Sequence, residues 1–373
     1  MLTELKNFFT DLQKREIIAD VANLENFYQL KSNEKVIYWG IDCTNDSLHI
    51  GHLFTILQTI RFAQKEFKIL LVLGGATSKI GDPSDKLKER PQLADDEIKN
   101  YYQKIEEQIT NLLLKEKKTY QPDFQPLEVF YSDNPVLLKD IYQVLELNDN
   151  EPWKKYLQYI WPLDKNHHFQ ILNNDKWLGE LKLIDFNKIG RNISVNYLLT
   201  KETIKQRVEN PETSLSFTAF SYSLLQAYDF YYLYQNYNCH GQLGGSDQWG
   251  NLTTGLKLIR SIRPENKTFA FTFPLLTDKD GKKISKSSTG KTIWLSVKKT
   301  SYHEFYDFLN NMPDGQALKF LYQFTFLTKE QIEKVNQLNN PRKLRIPQRI
   351  LIELLFYFLY QEKGLNWHFA RKK

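Results

Sequence analysis

Apolar positions along the chain follow two spacings. Leu5, Phe8, Phe9 and Leu12 form a stripe at helical spacing, so residues 1–30 open with an amphipathic helix. Short apolar runs at 36–39, 69–73 and 127–131 have the length of buried strands, and helical patterns separate them. After the first run, Leu53, Leu57 and Ile60 recur at i, i+4 and i+7 and predict a helix beginning near residue 49. Strand alternating with helix predicts an α/β sheet that is largely parallel. Residues 91–119 are rich in Asp, Glu, Lys and Gln, with Ile98, Tyr102, Ile105 and Ile109 at helical spacing, the pattern of an exposed amphipathic helix. Residues 120–170 carry Pro122, Pro126, Pro135, Pro152 and Pro162 and show no clear period. From about 299 the pattern turns helical, with Tyr302, Phe305, Tyr306 and Phe308. Residues 350–360 are nearly all apolar, yet 11 positions that include Glu353 are too few for a bilayer and fit a buried helix.

Composition changes this picture mainly at the C-terminus. A chain of 373 residues can bury a full core and form two or three domains. With 41% apolar and 25% charged residues it reads as soluble and globular. The formal charge is +6, and residues 341–373 alone hold eight Lys/Arg against two Glu. That concentration suits either an RNA-facing end or a solvated basic tail. Cys43 and Cys239 form no Cys-x-x-Cys, so neither a disulfide framework nor a zinc ribbon is expected. Cys43, His49 and His52 lack a fourth ligand nearby, so no metal site is expected there. No long apolar segment follows Met1, so no signal peptide is expected, and the expectation is a cytoplasmic protein with no membrane partner.

Two short segments carry candidate chemistry. His49-Ile50-Gly51-His52 follows the strand-like Val36-Ile37-Tyr38-Trp39-Gly40 and opens the predicted helix. A strand, a glycine-containing turn and a helix start together make an anion site, because unpaired N–H groups and the helix dipole point at the ligand. The two histidines, one turn apart, can face a phosphate or serve as helix caps. Lys283-Ile284-Ser285-Lys286-Ser287 sets two lysines three residues apart, beside Gly281 and Gly290. This is either a solvated surface loop or a flexible cationic grip on a polyphosphate. No Gly-x-x-x-x-Gly-Lys-Ser/Thr occurs, so the pair points to nucleotide chemistry without a P-loop. Tyr222, Gln226 and Asp229 lie at i, i+4 and i+7 and would share one helix face. That face is either an ordinary amphipathic surface or the polar wall of a pocket.

The two segments resemble the HIGH and KMSKS signatures of class I aminoacyl-tRNA synthetases. Further runs narrow the likeness. Tyr38-Trp39-Gly40-Ile41-Asp42 leads into Ser47-Leu48-His49, and Gly74-Gly75-Ala76-Thr77 precedes Gly81-Asp82-Pro83-Ser84. Ser221 to Phe230 precedes Gln242-Leu243-Gly244-Gly245-Ser246-Asp247-Gln248-Trp249-Gly250-Asn251. In this order they resemble the bacterial-type tyrosyl-tRNA synthetases over roughly residues 30–330, thinning between about 91 and 170.

The resemblance implies a class I Rossmann-like catalytic domain over 1–275, with an inserted connective and dimer segment at about 120–200. A linker with the Lys-Ile-Ser-Lys-Ser loop would span 276–298 and a helical anticodon-binding-like domain 299–373. It implies a homodimer that joins L-tyrosine to tRNA(Tyr) with ATP and Mg2+. Tyr38 and Asp229 would meet the substrate phenol, Tyr222, Gln226 and Asp82 its ammonium group, with Asp42 and Gln248 beside them and Asn174 supporting the pocket. Such a pocket rejects phenylalanine because its polar groups would be left unpaired, and tyrosyl enzymes are themselves the standing example. Trp39, Gly40, Thr44, Gly51, His52, Gly245 and Asp247 would contact ATP, Asp247 through the ribose. His49, His52, Lys86, Arg90, Lys283 and Lys286 would stabilise charge during attack of the already ionised carboxylate on the α-phosphorus, which needs no general base.

Three features depart from the family pattern. Trp39 stands where a smaller residue is usual, Asp85 replaces a glycine before Lys86, and the usual C-terminal RNA-binding module is not expected. The candidate replacements for RNA contact are Arg342, Lys343, Arg345, Arg349 and the tail Arg371-Lys372-Lys373.

Overall fold

The first expected strand lies in the middle of a sheet. The computed structural model describes residues 2–82, 84, 93–114, 143–144, 168–210, 215–277, 292–339 and 345–360. In chain order the elements begin with α1 (Leu2–Lys14), β1 (Val21–Ala22), α2 (Leu24–Tyr28), β2 (Val36–Asp42), α3 (Ile50–Ala63), β3 (Lys68–Gly74), α4 (Thr77–Ile80) and α5 (Asp95–Leu113). There follow β4 (Phe169–Asn173), α6 (Asp175–Leu178), α7 (Leu183–Gly190), α8 (Val195–Leu199), α9 (Glu202–Glu209), α10 (Phe217–Tyr237), β5 (Gly241–Gly245), α11 (Trp249–Ile262) and β6 (Phe269–Phe273). The last described helices are α12 (Tyr302–Asn310), α13 (Asp314–Phe324), α14 (Lys329–Asn339) and α15 (Ile346–Tyr360). The chain divides into two compact units: Met1–Ser47, Phe62–Ile109 and Asn166–Leu275 make the first, and Leu48–Arg61, Thr110–Lys165 and Leu276–Lys373 the second.

In the first unit the strands run β1-β6-β5-β2-β3-β4, parallel except for the β1–β6 pair. This is the parallel α/β sheet that the alternation predicts. Val36, Ile37, Tyr38, Trp39 and Ile41 are all buried, so β2 is covered on both faces and reads as a continuous apolar run. On one face Tyr38, Leu70, Leu172 and Ala270 pack under Phe230 of α10 and Leu252 and Leu256 of α11. Phe269 and Phe271 point the other way, where Phe27 of α2 lies 5.2 and 5.0 Å from their rings and Phe9 of α1 joins them. The expected stripe on α1 is buried as drawn. The expected strand at 127–131 falls outside the described residues. Conversely, β5 is Gly241-Gln242-Leu243-Gly244-Gly245, whose single apolar residue gives no run to detect.

The strand order positions a site. β3 lies on one side of β2 and β5 on the other, so the winding reverses there. Open parallel sheets bind ligands beyond the carboxyl ends of such strands, here at Asp42 and Gly245. The helix facing this crevice is held at both ends. The Ser216 hydroxyl caps α10 by accepting from the Ala219 N–H at 3.1 Å, and Asn238 ends it at φ 54°.

The second unit contains Leu48–Arg61 and the four C-terminal helices. α15 packs against α12, α13 and α14. Its Ile350, Leu351, Ile352, Leu354, Leu355, Phe356 and Phe358 are buried, which makes it the core helix that the apolar run predicts. Buried amides fix its register: Gln348 donates to Asp314 (2.7 Å) and the Met312 carbonyl (2.8 Å), while Asn339 donates to Asp314 (2.9 Å). The Ser301 hydroxyl accepts from the Glu304 N–H and the Glu304 carboxylate accepts from the Ser301 N–H, a capping box that starts α12.

Candidate active site

Side chains from β2, α4, α6 and α10, with Asn174 just past β4, converge in the first unit. Asp229 is 4% exposed on the inner face of α10. The indole N–H of Trp177 donates to it at 2.6 Å and the amide of Asn174 at 3.1 Å. Burial pushes its carboxyl up to about 7; these two donors pull against that rise, and the Asp42 charge adds to it. The Tyr38 hydroxyl is buried with no hydrogen-bond partner among the described residues. Burial, then the Asp229 charge, hold that phenol in its neutral donor form. A buried carboxylate with acceptor capacity lies beside a hydroxyl still to be satisfied.

One and two turns back along α10, Gln226 is half-buried and Tyr222 is buried. The Tyr222 hydroxyl donates to Asp42 at 2.8 Å, and the Thr77 hydroxyl donates to the other Asp42 oxygen at 2.7 Å. Burial raises the Tyr222 phenol well above its ordinary range, with Asp42, Asp82 and Asp229 all contributing. Three carboxylates therefore surround it, a setting suited to a cation. β3 has to end in glycine here, because a Cβ on Gly74 would strike Asp42 and the Thr77 hydroxyl. Asp82 accepts from Gln248 at 2.5 Å and from the Ser84 hydroxyl at 2.5 Å. Asn251 donates to Ser84 and to Gln248 and accepts from Ser223, closing a net that bridges α10 and the start of α11. Gly245 ends β5 at the crevice and Asp247 follows it, both half-buried. On β2, Gly40 is exposed while Trp39 is 5% exposed, so the indole is core material; Thr44 beyond the strand is half-buried.

In the second unit His49 and His52 sit at the start of α3, their rings stacked at 3.8 Å. The Nδ1 of His49 accepts from the N–H groups of Gly51 (3.1 Å) and His52 (3.3 Å), and the Nδ1 of His52 accepts from the His49 N–H (3.2 Å). Both rings are thus helix caps, and an accepting Nδ1 places the single ring proton on Nε2 as a donor. Burial, then the His49 ring, keep His52 neutral well below its ordinary pKa. Gly51 leaves room for the His49 ring, which a Cβ there would meet at 2.9 Å and push aside. An antiparallel bridge joins His49 to Trp294, with the Ile50 N–H donating to the Ile293 carbonyl at 3.0 Å.

Lys86, Arg90, Lys283, Lys286, Asp85, Arg342, Lys343 and residues 371–373 lie outside the described residues. Arg345 is described, and its guanidinium donates to the carbonyls of Asn310 and Met312, so it ties α15 to the end of α12. That places it poorly for the phosphate contact expected of it. Thr77, Ser84, Ser223 and Asn251 lie in the runs that carry the resemblance but have no individual role in the sequence reading, and Trp177 lies outside those runs. Trp177 and Asn174 lie 52 and 55 residues from Asp229, so no local spacing links them to it.

The parallel sheet with its crevice at β2 and β5 and, in the other unit, the histidine-capped helix fit the class I aminoacyl-tRNA synthetases. The comparisons agree. Residues 30–355 match the family of tRNA synthetases class I (W and Y), and the chain belongs to that family. The tyrosine–tRNA ligase of Geobacillus stearothermophilus is 37% identical over 363 residues, 96% of this chain and 74% of that protein. The tyrosine–tRNA ligase of Mycoplasma mycoides is 36% identical over 359 residues, 95% of this chain and 73% of the relative. A solved C-terminally truncated mitochondrial tyrosyl-tRNA synthetase from Aspergillus nidulans superposes with a TM-score of 0.73 at 25% identity, covering 97% of this chain and 93% of that one.

Proposed function

We propose that the chain is a tyrosine–tRNA ligase, which activates L-tyrosine with ATP to tyrosyl-adenylate and pyrophosphate and then transfers tyrosine to tRNA(Tyr). The carrying observation is the Asp229–Tyr38 pair. Its carboxylate is fixed by Trp177 and Asn174, and its phenol awaits a partner. A substrate hydroxyl would donate to Asp229 and accept from Tyr38. An indole could not accept from Tyr38, because its N–H only donates. Asp82, Tyr222 and Gln226 would take the ammonium group, with Asp42 and Gln248 orienting them. His49 and His52 would offer Nε2–H donors to phosphate oxygens of ATP as charge builds there, with Lys86, Arg90, Lys283 and Lys286 completing that role. Gly245 and Asp247 would hold the adenosine, and Mg2+ would arrive on the nucleotide. Pyrophosphate exchange with tyrosine, tryptophan and phenylalanine in turn, followed by charging of tRNA(Tyr), tests this. Tyrosine-dependent exchange is expected, and exchange driven by tryptophan would overturn it.

The domain division at 275 and 298, the cytoplasmic setting and a homodimer belong to the same reading. Support for the dimer comes from Leu183, Ile184, Val195 and Phe217 of the first unit, apolar side chains that are each more than half exposed. Among the described residues no helix is long and apolar enough to cross a membrane.

A further inference from the structure

α3 is largely buried, with Leu53, Phe54, Ile56, Leu57 and Ile60 at most 2% exposed. Of its buried polar side chains, Thr55 and Thr59 bond within the helix, whereas Gln58 and Arg61, at 0% and 5% exposure, reach beyond it. Both aim at one target, the C-terminal end of α13. The Gln58 amide donates to the Gln323 carbonyl at 2.9 Å, and its oxygen accepts from the Arg61 Nε at 3.0 Å. Arg61 Nη2 donates to the carbonyls of Tyr322, at 3.4 Å, and of Thr325, and the guanidinium lies over the Phe326 ring at 4.3 Å. A cation at a helix C-terminus meets the negative end of its dipole. These side chains supply donors to carbonyls at the end of α13, where a helix leaves its last carbonyls without partners of its own. What directional bonds add is register: an apolar seam lets a helix turn or slide, whereas a planar fork on fixed carbonyls does not.

We infer that Gln58 and Arg61 are positioning residues for the two histidines at the other end of α3, locking the rotation of that helix to the end of α13. The inference rests on the proposed synthetase activity. The first turn of α3 is joined to 293–295 by backbone bonds. A rotation of about 10° moves a ring some 6 Å from the helix axis by about 1 Å, and a 1 Å misplacement can lower a rate by roughly a hundredfold. Neither residue touches substrate; they act through His49 and His52.

The test compares Gln58→Met, Arg61→Met and Arg61→Lys with the unchanged chain. Active sites are counted by the pyrophosphate burst, and tyrosine-dependent exchange is then measured per active site. Gln58→Met and Arg61→Met are expected to lower kcat per site by roughly 10- to 100-fold with the KM for tyrosine within twofold, and Arg61→Lys to fall between. If Arg61→Met does not fold, the other two carry the test. Variants that lose active sites or Tm but keep kcat per site would make the pair purely structural and overturn the inference. An unchanged chain that gives no tyrosine-dependent exchange overturns the synthetase reading, and this assignment with it.

Discussion

The acid pocket on α10 and the histidine pair on α3 are built in opposite ways. Asp229 is held by groups 52 and 55 residues away, brought to it by the sheet. His49 and His52 are held by backbone N–H groups two or three residues away. The pocket buries an acid, which pushes its carboxyl up to about 7 against the pull of the donors supplied from elsewhere. The rings at the helix start take their hydrogen bonds from its own first turn, and neutral rings avoid the desolvation of a charge. The hydrogen bonds of the pocket therefore depend on distant residues, whereas those of the histidine rings come from their own turn and only the orientation of the helix is left to Gln58 and Arg61.

The largest effect is expected at the centre of the pocket. Asp229→Asn keeps the size but exchanges an ionised acceptor for a neutral amide. Discrimination of tyrosine over phenylalanine, read as the ratio of kcat/KM values, should fall by about two orders of magnitude. An unchanged ratio would remove Asp229 from the phenol site.

Trp177→Phe comes next and tests the distant support directly. It removes the shortest donor to a buried carboxylate and keeps an aromatic ring against Tyr232, with which the indole stacks at 4.7 Å. Tyrosine affinity should fall roughly tenfold, since bonds to charged groups contribute about 1.5–3 kcal/mol and the carboxyl would then titrate higher. Isothermal titration with tyrosine gives the number, and an affinity within twofold of the parent would show that Asn174 alone suffices.

This contrast also explains what the sequence made legible. The His49–His52 spacing, the Tyr222–Gln226–Asp229 face and the apolar run of α15 are local patterns, and each forms as its spacing predicts. The family resemblance supplied Asn174, because no spacing connects it to Asp229. Trp177 gave no signal: one tryptophan in Asp175–Leu178 looks like any core residue until β4 brings it under α10. Strand β5 was hidden for a different reason. Its glycines admit neighbours that side chains would exclude, as at Gly241, where a Cβ would strike Phe269 and Ile37.

The pH dependence is a smaller effect with a definite sign. Asp229 titrates near 7 in the fold against an ordinary 3.8, so it binds its proton more tightly folded than unfolded. Its contribution therefore favours the fold below about 4 and is lost as pH climbs through about 7. A substrate phenol donating to the ionised form favours loss of that proton. Tyrosine affinity should hold above pH 7 and weaken by up to about tenfold per unit below it. Asp229→Asn should abolish that slope, and a profile flat from pH 8 to 5.5 in the parent would contradict the raised carboxyl.

The smallest expected effect separates the two roles of the histidines. His49 accepts two backbone N–H bonds through Nδ1, so part of its contribution is a cap that other residues can supply. His49→Asn retains a capping oxygen, while His49→Ala does not. Thermal unfolding should rank the parent and His49→Asn within a few tenths of a kcal/mol, with His49→Ala about 1 kcal/mol lower. Both variants remove the same Nε2–H donor. Exchange per active site should therefore fall equally in the two despite their different stabilities. Activity that tracked stability instead, with His49→Asn near the parent, would mean that the ring serves the helix and not the phosphates.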